Sequence, residues 1–154
     1  MPSELIDLKN KKGTVLSLDC GKKRIGVAVG NNQLYTTEKV TTLTSTTEKQ
    51  RLELIKKLIK EWEPVYLVIG LPKNMDGTEN EMTRFCINLS KKIKYHCNIE
   101  IFLIDERLTS IEAENILTNT VGIKISKANK FLIDQEAAEI ILKNHFEELT
   151  NENN

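Results

Sequence analysis

Six consecutive residues, Val65 to Gly70 (VYLVIG), carry no charge and are almost all apolar. A run this short and this apolar reads as a β-strand covered on both faces. Such a strand needs other elements layered above and below it, and the flanking sequence offers helices. Ser45 with Glu48 has the form of a capping box. Leu52, Ile55, Leu58 and Ile59 then recur at helical spacing until Pro64 stops the pattern. Thr78 with Glu81 marks a second start, with Met82, Phe85, Leu89 and Ile93 on one face. Ile99 to Ile104 predicts another strand, and Thr109 with Glu112 a short helix to about Leu117. Beyond the break at Gly122, Ser126 to Phe146 predicts a long last helix.

Upstream lie two shorter apolar runs, Val15 to Cys20 (VLSLDC) and Ile25 to Gly30 (IGVAVG). The link between them, Gly21 to Arg24, is short enough for an antiparallel hairpin. The threonine-rich stretch Tyr35 to Thr44 suits a third, more exposed strand. The order β-β-β-α-β-α-β-α-α predicts an α/β fold: a mixed five-stranded sheet with helices on both faces. Residues 13–149 are expected to form a single domain between a flexible leader, 1–12, and a polar tail, 150–154. The sequence has no internal repeat and no linker rich in Gly or Pro.

Lys and Arg total 22 and Asp and Glu total 22, so the net charge is zero. Any attraction to nucleic acid must therefore come from local patches. Cys20, Cys86 and Cys97 form no C-x-x-C pair and are odd in number. That pattern points to reduced thiols and a cytoplasmic setting. No apolar run approaches the roughly 20 residues of a membrane span, so no membrane association is expected. His96 and His145 lack metal-ligand spacing and read as surface or packing residues.

Asp19 closes the first strand, Asp105 and Glu106 close the last, and Asp134 interrupts the apolar part of the final helix. Sites in open α/β sheets form beyond the carboxyl ends of strands, where acids from neighbouring strands can converge. Hard divalent cations take oxygen ligands, and two of them can stabilise the attacking and leaving oxygens of a phosphodiester. Each acid alone also fits a blander role as cap or turn former. Around them stand cations suited to a phosphate backbone: Lys22, Lys23 and Arg24 on the hairpin, Lys73 with Asn74 in the loop after the buried strand, then Arg107, Lys127 and Lys130. Arg107 can clamp a phosphate or pair with Asp105. The Lys73 to Gly77 loop can hold a phosphate at a helix N-terminus beginning at Thr78.

Four segments resemble, in order, motifs of the YqgF/RuvX family of Holliday-junction-resolvase-like proteins: Asp19 to Ala28 (DCGKKRIGVA), Gly70 to Glu79 (GLPKNMDGTE), Asp105 to Thr109 (DERLT) and Asp134 to Ala138 (DQEAA). They span nearly the whole chain. The resemblance implies a ribonuclease-H-like fold and a nuclease acting in 5′-end processing of pre-16S rRNA. It further implies metal-binding acids at Asp19, Glu106 and Asp134. The chemistry of these acids makes them the expected catalytic residues of a two-metal site for Mg²⁺ or Mn²⁺, and leaves open whether Asp105 is a further ligand. Cys20 departs from the family pattern, which favours a bulkier apolar residue there. RNA is the expected partner, with structured DNA as an alternative, for a monomer or homodimer. Two competing readings are a Holliday-junction resolvase acting on DNA and a non-catalytic nucleic-acid-binding module. The Asp19-x-Gly hairpin is also similar to that of actin-like and sugar-kinase ATPases, but the chain is too short for their two domains.

Overall fold

The computed structural model describes residues 11–106, 115–120 and 129–152. Its strands are β1 (Thr14–Cys20), β2 (Arg24–Asn31), β3 (Thr36–Thr44), β4 (Tyr66–Pro72) and β5 (Ile101–Glu106). Its helices are α1 (Glu48–Trp62), α2 (Glu81–Cys97) and α3 (Lys130–Glu152), with a short π-helical turn at Ile116–Thr120. The sheet order is β3-β2-β1-β4-β5. β1, β2 and β3 pair antiparallel, while β1–β4 and β4–β5 pair parallel. The expected mixed five-stranded sheet is therefore present, with β1 at its centre and the apolar run as the interior strand β4.

Strand alternation divides the core in two. Leu16, Leu18 and Cys20 of β1 and Leu67, Ile69 and Leu71 of β4 face α1 and α2, packing on Ile55, Leu58, Cys86, Leu89 and Ile93. Val15, Tyr66, Val68, Phe102 and Ile104 face α3, packing on Ala138, Ile141, Leu142 and Phe146. Both sides of β4 are thus dry, as its sequence requires. His145, wholly buried, shares a 2.7 Å hydrogen bond with the Tyr66 hydroxyl, so it is a packing residue with a polar partner.

Several local expectations need correction. α1 is capped by Thr47, whose Oγ1 accepts from the Gln50 amide; Ser45 is buried before the helix instead. α2 starts later than Thr78, with Asn80 and Thr83 exchanging the capping-box bonds. Asn fits because its short amide accepts from N3 as Ser or Thr would. β5 begins two residues later than predicted and carries Asp105 and Glu106 inside the strand. Residues 150–152, expected in the tail, continue α3. Most of the leader, the Thr109 helix start, Arg107 and Lys127 lie outside the described residues.

α3 crosses the sheet closely because the strands below it offer small residues. Ser17 on β1 donates to the Ala138 carbonyl at 2.7 Å. At Gly26 on β2, a Cβ would overlap the backbone carbonyl of Asp134. At Gly70 on β4, it would overlap the flexible end of Ile141 instead. Gly26→Ala should therefore destabilise the protein by roughly 2–4 kcal/mol, since backbone must move. Gly70→Ala should cost less, because a rotamer change relieves it. Urea unfolding of the two variants side by side checks the order.

Candidate functional site

Asp19 leaves β1 on the face that meets α3, because it alternates with Val15 and Ser17. Glu106 alternates with Phe102 and Ile104 on β5 and reaches the same face. β5 is not a neighbour of β1, so the acids do not converge from adjacent strands; β4 runs between them. The gap is bridged at Gly70, where the position of an absent Cβ lies 3.5 Å from Glu106 Cγ. Asp134 descends from the first turns of α3, with its backbone against Gly26, the residue paired with Asp19. Three elements distant in sequence thus bring these acids to one end of one sheet face.

Asp105 points the other way, out of step with Glu106 by one residue. It is exposed and lies 3.9 Å from Lys73 Nζ. Alternation alone separates the two acids that are adjacent in sequence.

The site is electrostatically strained. The Asp19 carboxyl is pushed up to about 7, first by burial and then by Asp134; Arg24 opposes this and Glu106 adds to it. Asp134 is also raised, by burial, against a hydrogen bond and charge from Arg24. Arg24 Nε sits 2.7 Å from Asp134 Oδ2 in a half-buried ion pair. Asn144 donates to both Glu106 oxygens, at 3.0 and 3.2 Å. Clustered carboxylates with this little counter-charge raise one another's pKa, and a cation placed among them would remove the penalty.

The donors are all carboxylate oxygens, the set a hard divalent cation prefers. Among the described residues, no three acids, cysteines or histidines stand close enough together to hold an ion as they are. Asp134 is turned toward Arg24, and Glu106 toward Asn144. The donor chemistry fits a divalent cation, and accommodating one requires these side chains to turn toward Asp19.

The hairpin cations divide. A cavity of about 310 Å³ beside Asp19 and Asp134 is lined by Lys22, Lys23 and Arg24. Lys22 pairs with Glu81 at 2.5 Å, Lys23 is exposed, and Arg24 is committed to Asp134. Lys130 is exposed at the start of α3 and lowers the pKa of Asp134. Asn74 is held within its own loop by Thr78 and Asn80, and the α2 N-terminus is satisfied by its own cap, which weakens the phosphate-loop expectation. Asn144 was missed by sequence reasoning. Its signal is a polar residue on the buried stripe, three positions after Ile141 and seven after Ala137.

Residues 13–148 match the family model described as RuvX, Holliday junction resolvase. A protein of Dechloromonas aromatica named "Putative pre-16S rRNA nuclease" is 42% identical over 135 residues, covering 88% of this chain and 91% of its own. One of the same name from Neisseria meningitidis serogroup C is 37% identical over 139 residues, covering 90% and 91%. Among solved structures, RuvC from T. thermophilus in complex with a Holliday junction substrate superposes with a TM-score of 0.53 at 12% identity, over 90% of this chain and 96% of that one. The fowlpox virus resolvase, solved with Holliday junction DNA, gives 0.55 at 14% identity, over 89% and 99%. These likenesses show the fold, which is ribonuclease-H-like.

A carboxyl raised on folding holds its proton more tightly in the native state. Below its ordinary value of 3.8 both states are protonated and the stability is fully present; it is lost as pH rises through about 7. Asp19→Asn should thus be more stable than the parent chain at pH 8 in chelator by on the order of 1–3 kcal/mol, and unfold at a higher temperature. The difference should vanish near pH 4. Calorimetry across that range checks both the sign and the window.

Proposed function

The chain belongs to the RuvX family, and on that premise we propose that it is a nuclease that hydrolyses phosphodiesters with a divalent metal, acting in 5′-end processing of pre-16S rRNA. The observation that carries this reading is the convergence of Asp19, Asp134 and Glu106 on one sheet face, where burial first and then the neighbouring acids push the Asp19 carboxyl up to about 7. A purely structural cluster would be expected to pair its charges. This one leaves Asp19 short of counter-charge beside an open cavity.

Asp19, Glu106 and Asp134 would hold Mg²⁺ or Mn²⁺, one ion or two. When bound, the metal would supply the positive charge that stabilises the phosphoryl oxygens in the transition state and lowers the pKa of water. The protein's own residues do the positioning. Arg24 tethers Asp134 to the hairpin beside Asp19, and Asn144 orients Glu106. Lys22 and Lys23 present charge to the phosphate backbone at the cavity mouth, and Lys130 adds to it from α3.

RNA is the substrate favoured by the names of the curated relatives, and a cytoplasmic location accords with that role. No helix among the described residues is long and apolar enough to cross a membrane. The family description, Holliday junction resolvase, favours structured DNA as a second reading.

With Mg²⁺ or Mn²⁺ the protein should cleave a structured RNA carrying a 16S 5′-precursor end, and chelator should abolish cutting. Asp19→Asn should slow single-turnover cleavage at least ~100-fold, the scale expected when an essential charge is removed from such a centre. Equal rates would sink the role of Asp19. Preferential cutting of a four-way DNA junction would assign the resolvase reading, and binding without any cutting would leave a non-catalytic module. Added Mg²⁺ should also raise the melting temperature of the parent chain more than that of Asp19→Asn, since only a ligand of the native state stabilises it.

A further inference from the structure

Arg51 lies in the first turn of α1, pointed inward, and only 8% of its surface is exposed. A buried guanidinium normally has a carboxylate to pair with. This one has no acid within 4 Å among the described residues. Its Nη2 donates to the Lys22 backbone carbonyl at 2.5 Å. Its Cζ stands 5.2 Å from the centre of the Phe85 ring. Its buried Nε has no hydrogen-bond partner. Neither a neutral carbonyl nor a ring face supplies the negative charge that a desolvated guanidinium calls for.

The same side chain lines a second cavity, about 790 Å³, on the other side of the β1–β2 hairpin from Asp19. Lys22, Lys23 and Arg24 line both cavities, so the hairpin is a wall common to the two. Ser45 and Gln50 form part of the second wall, and Phe131 its rim. Phe131 is 46% exposed.

The geometry points to a second phosphate-binding subsite, centred on Arg51, for a non-scissile phosphodiester of the nucleic-acid strand whose neighbouring phosphate lies at Asp19. Buried and unpaired positive charge, flanked by two lysines, selects an anion. The shared wall with the acid-lined cavity selects a strand that continues from one to the other. The exposed Phe131 ring gives a base a surface to stack on. This inference rests on the nuclease reading for its substrate, but its test requires no cleavage.

Binding of a fluorescent single-stranded RNA is measured by anisotropy over a range of salt concentrations, in chelator. Arg51→Met should weaken binding about 5- to 30-fold and make the slope of log K against log salt shallower by about 0.7, one single-strand phosphate contact. Arg51→Lys should recover most of that slope. Should Arg51→Met not fold, Gln50→Glu decides. Gln50 is exposed, and Glu keeps the acceptor that its Oε1 offers the Thr46 amide at 3.0 Å. The added charge at the wall should weaken RNA binding about 3- to 10-fold without lowering the melting temperature. Unchanged affinity and slope in the folded variants would overturn the subsite, even if the protein cuts RNA. A loss of affinity in a protein that never cuts would support the subsite while the nuclease reading fails. Calorimetric titration with inorganic phosphate separates the two sources of the anion: if Gln50→Glu weakens phosphate binding but leaves RNA binding untouched, the site serves a free anion and the strand assignment falls.

Discussion

How closely α3 approaches the sheet governs nearly everything else in this molecule. At Gly26 the helix backbone at Asp134 occupies the space a side chain would fill, and Ser17 ties the next turn down through the Ala138 carbonyl. The same approach lets His145 reach the buried Tyr66 hydroxyl and Asn144 reach Glu106. A helix seated even an ångström or two higher would break these bonds together. Each buried bond contributes about 1 kcal/mol net, but the polar groups left unpaired would cost more. Small residues on the strands are therefore as much a part of the site as the acids are.

That seat concentrates negative charge in a chain with no net charge. Asp19, Asp134 and Glu106 come from β1, α3 and β5, and the first two line one cavity. Arg24 offsets part of the repulsion by holding Asp134. The remainder is stored as destabilisation, visible in the raised carboxyls of Asp19 and Asp134. A protein selected for stability alone would replace one of the three. Three such acids gathered beside a cavity accord with a centre whose charge is completed by something bound.

Positive charge follows a different logic. The β1–β2 hairpin is a thin wall with the acids on one side and the Arg51 cavity on the other, and its three consecutive basic residues serve both. Lys22 joins the two sides physically: its ammonium pairs with Glu81, while its carbonyl receives Arg51. Local charge of this kind does not register in the overall composition.

Much of this was legible in the sequence, for physical reasons. An apolar run with no polar face has to be an interior strand, and a four-residue link between two β-runs has to turn back on itself. The five strands, their mixed pairing and the helices between them follow from those patterns, and the four ordered motifs mark out the family and its acids. Cap positions were less legible, since Ser45 and Thr47, or Thr78 and Asn80, offer equivalent oxygens a few residues apart and only the packed helix selects one. What the tertiary structure alone decided is which groups face each other. Strand alternation sends Glu106 toward α3 and Asp105 away. Gly70 carries the site across β4, which separates the strand of Asp19 from that of Glu106. Asn144 and Arg51 meet their neighbours across 38 and 29 residues of chain. Periodicity specifies the direction of a side chain relative to its own helix or strand; its partner, and so its charge state, depends on how those elements pack.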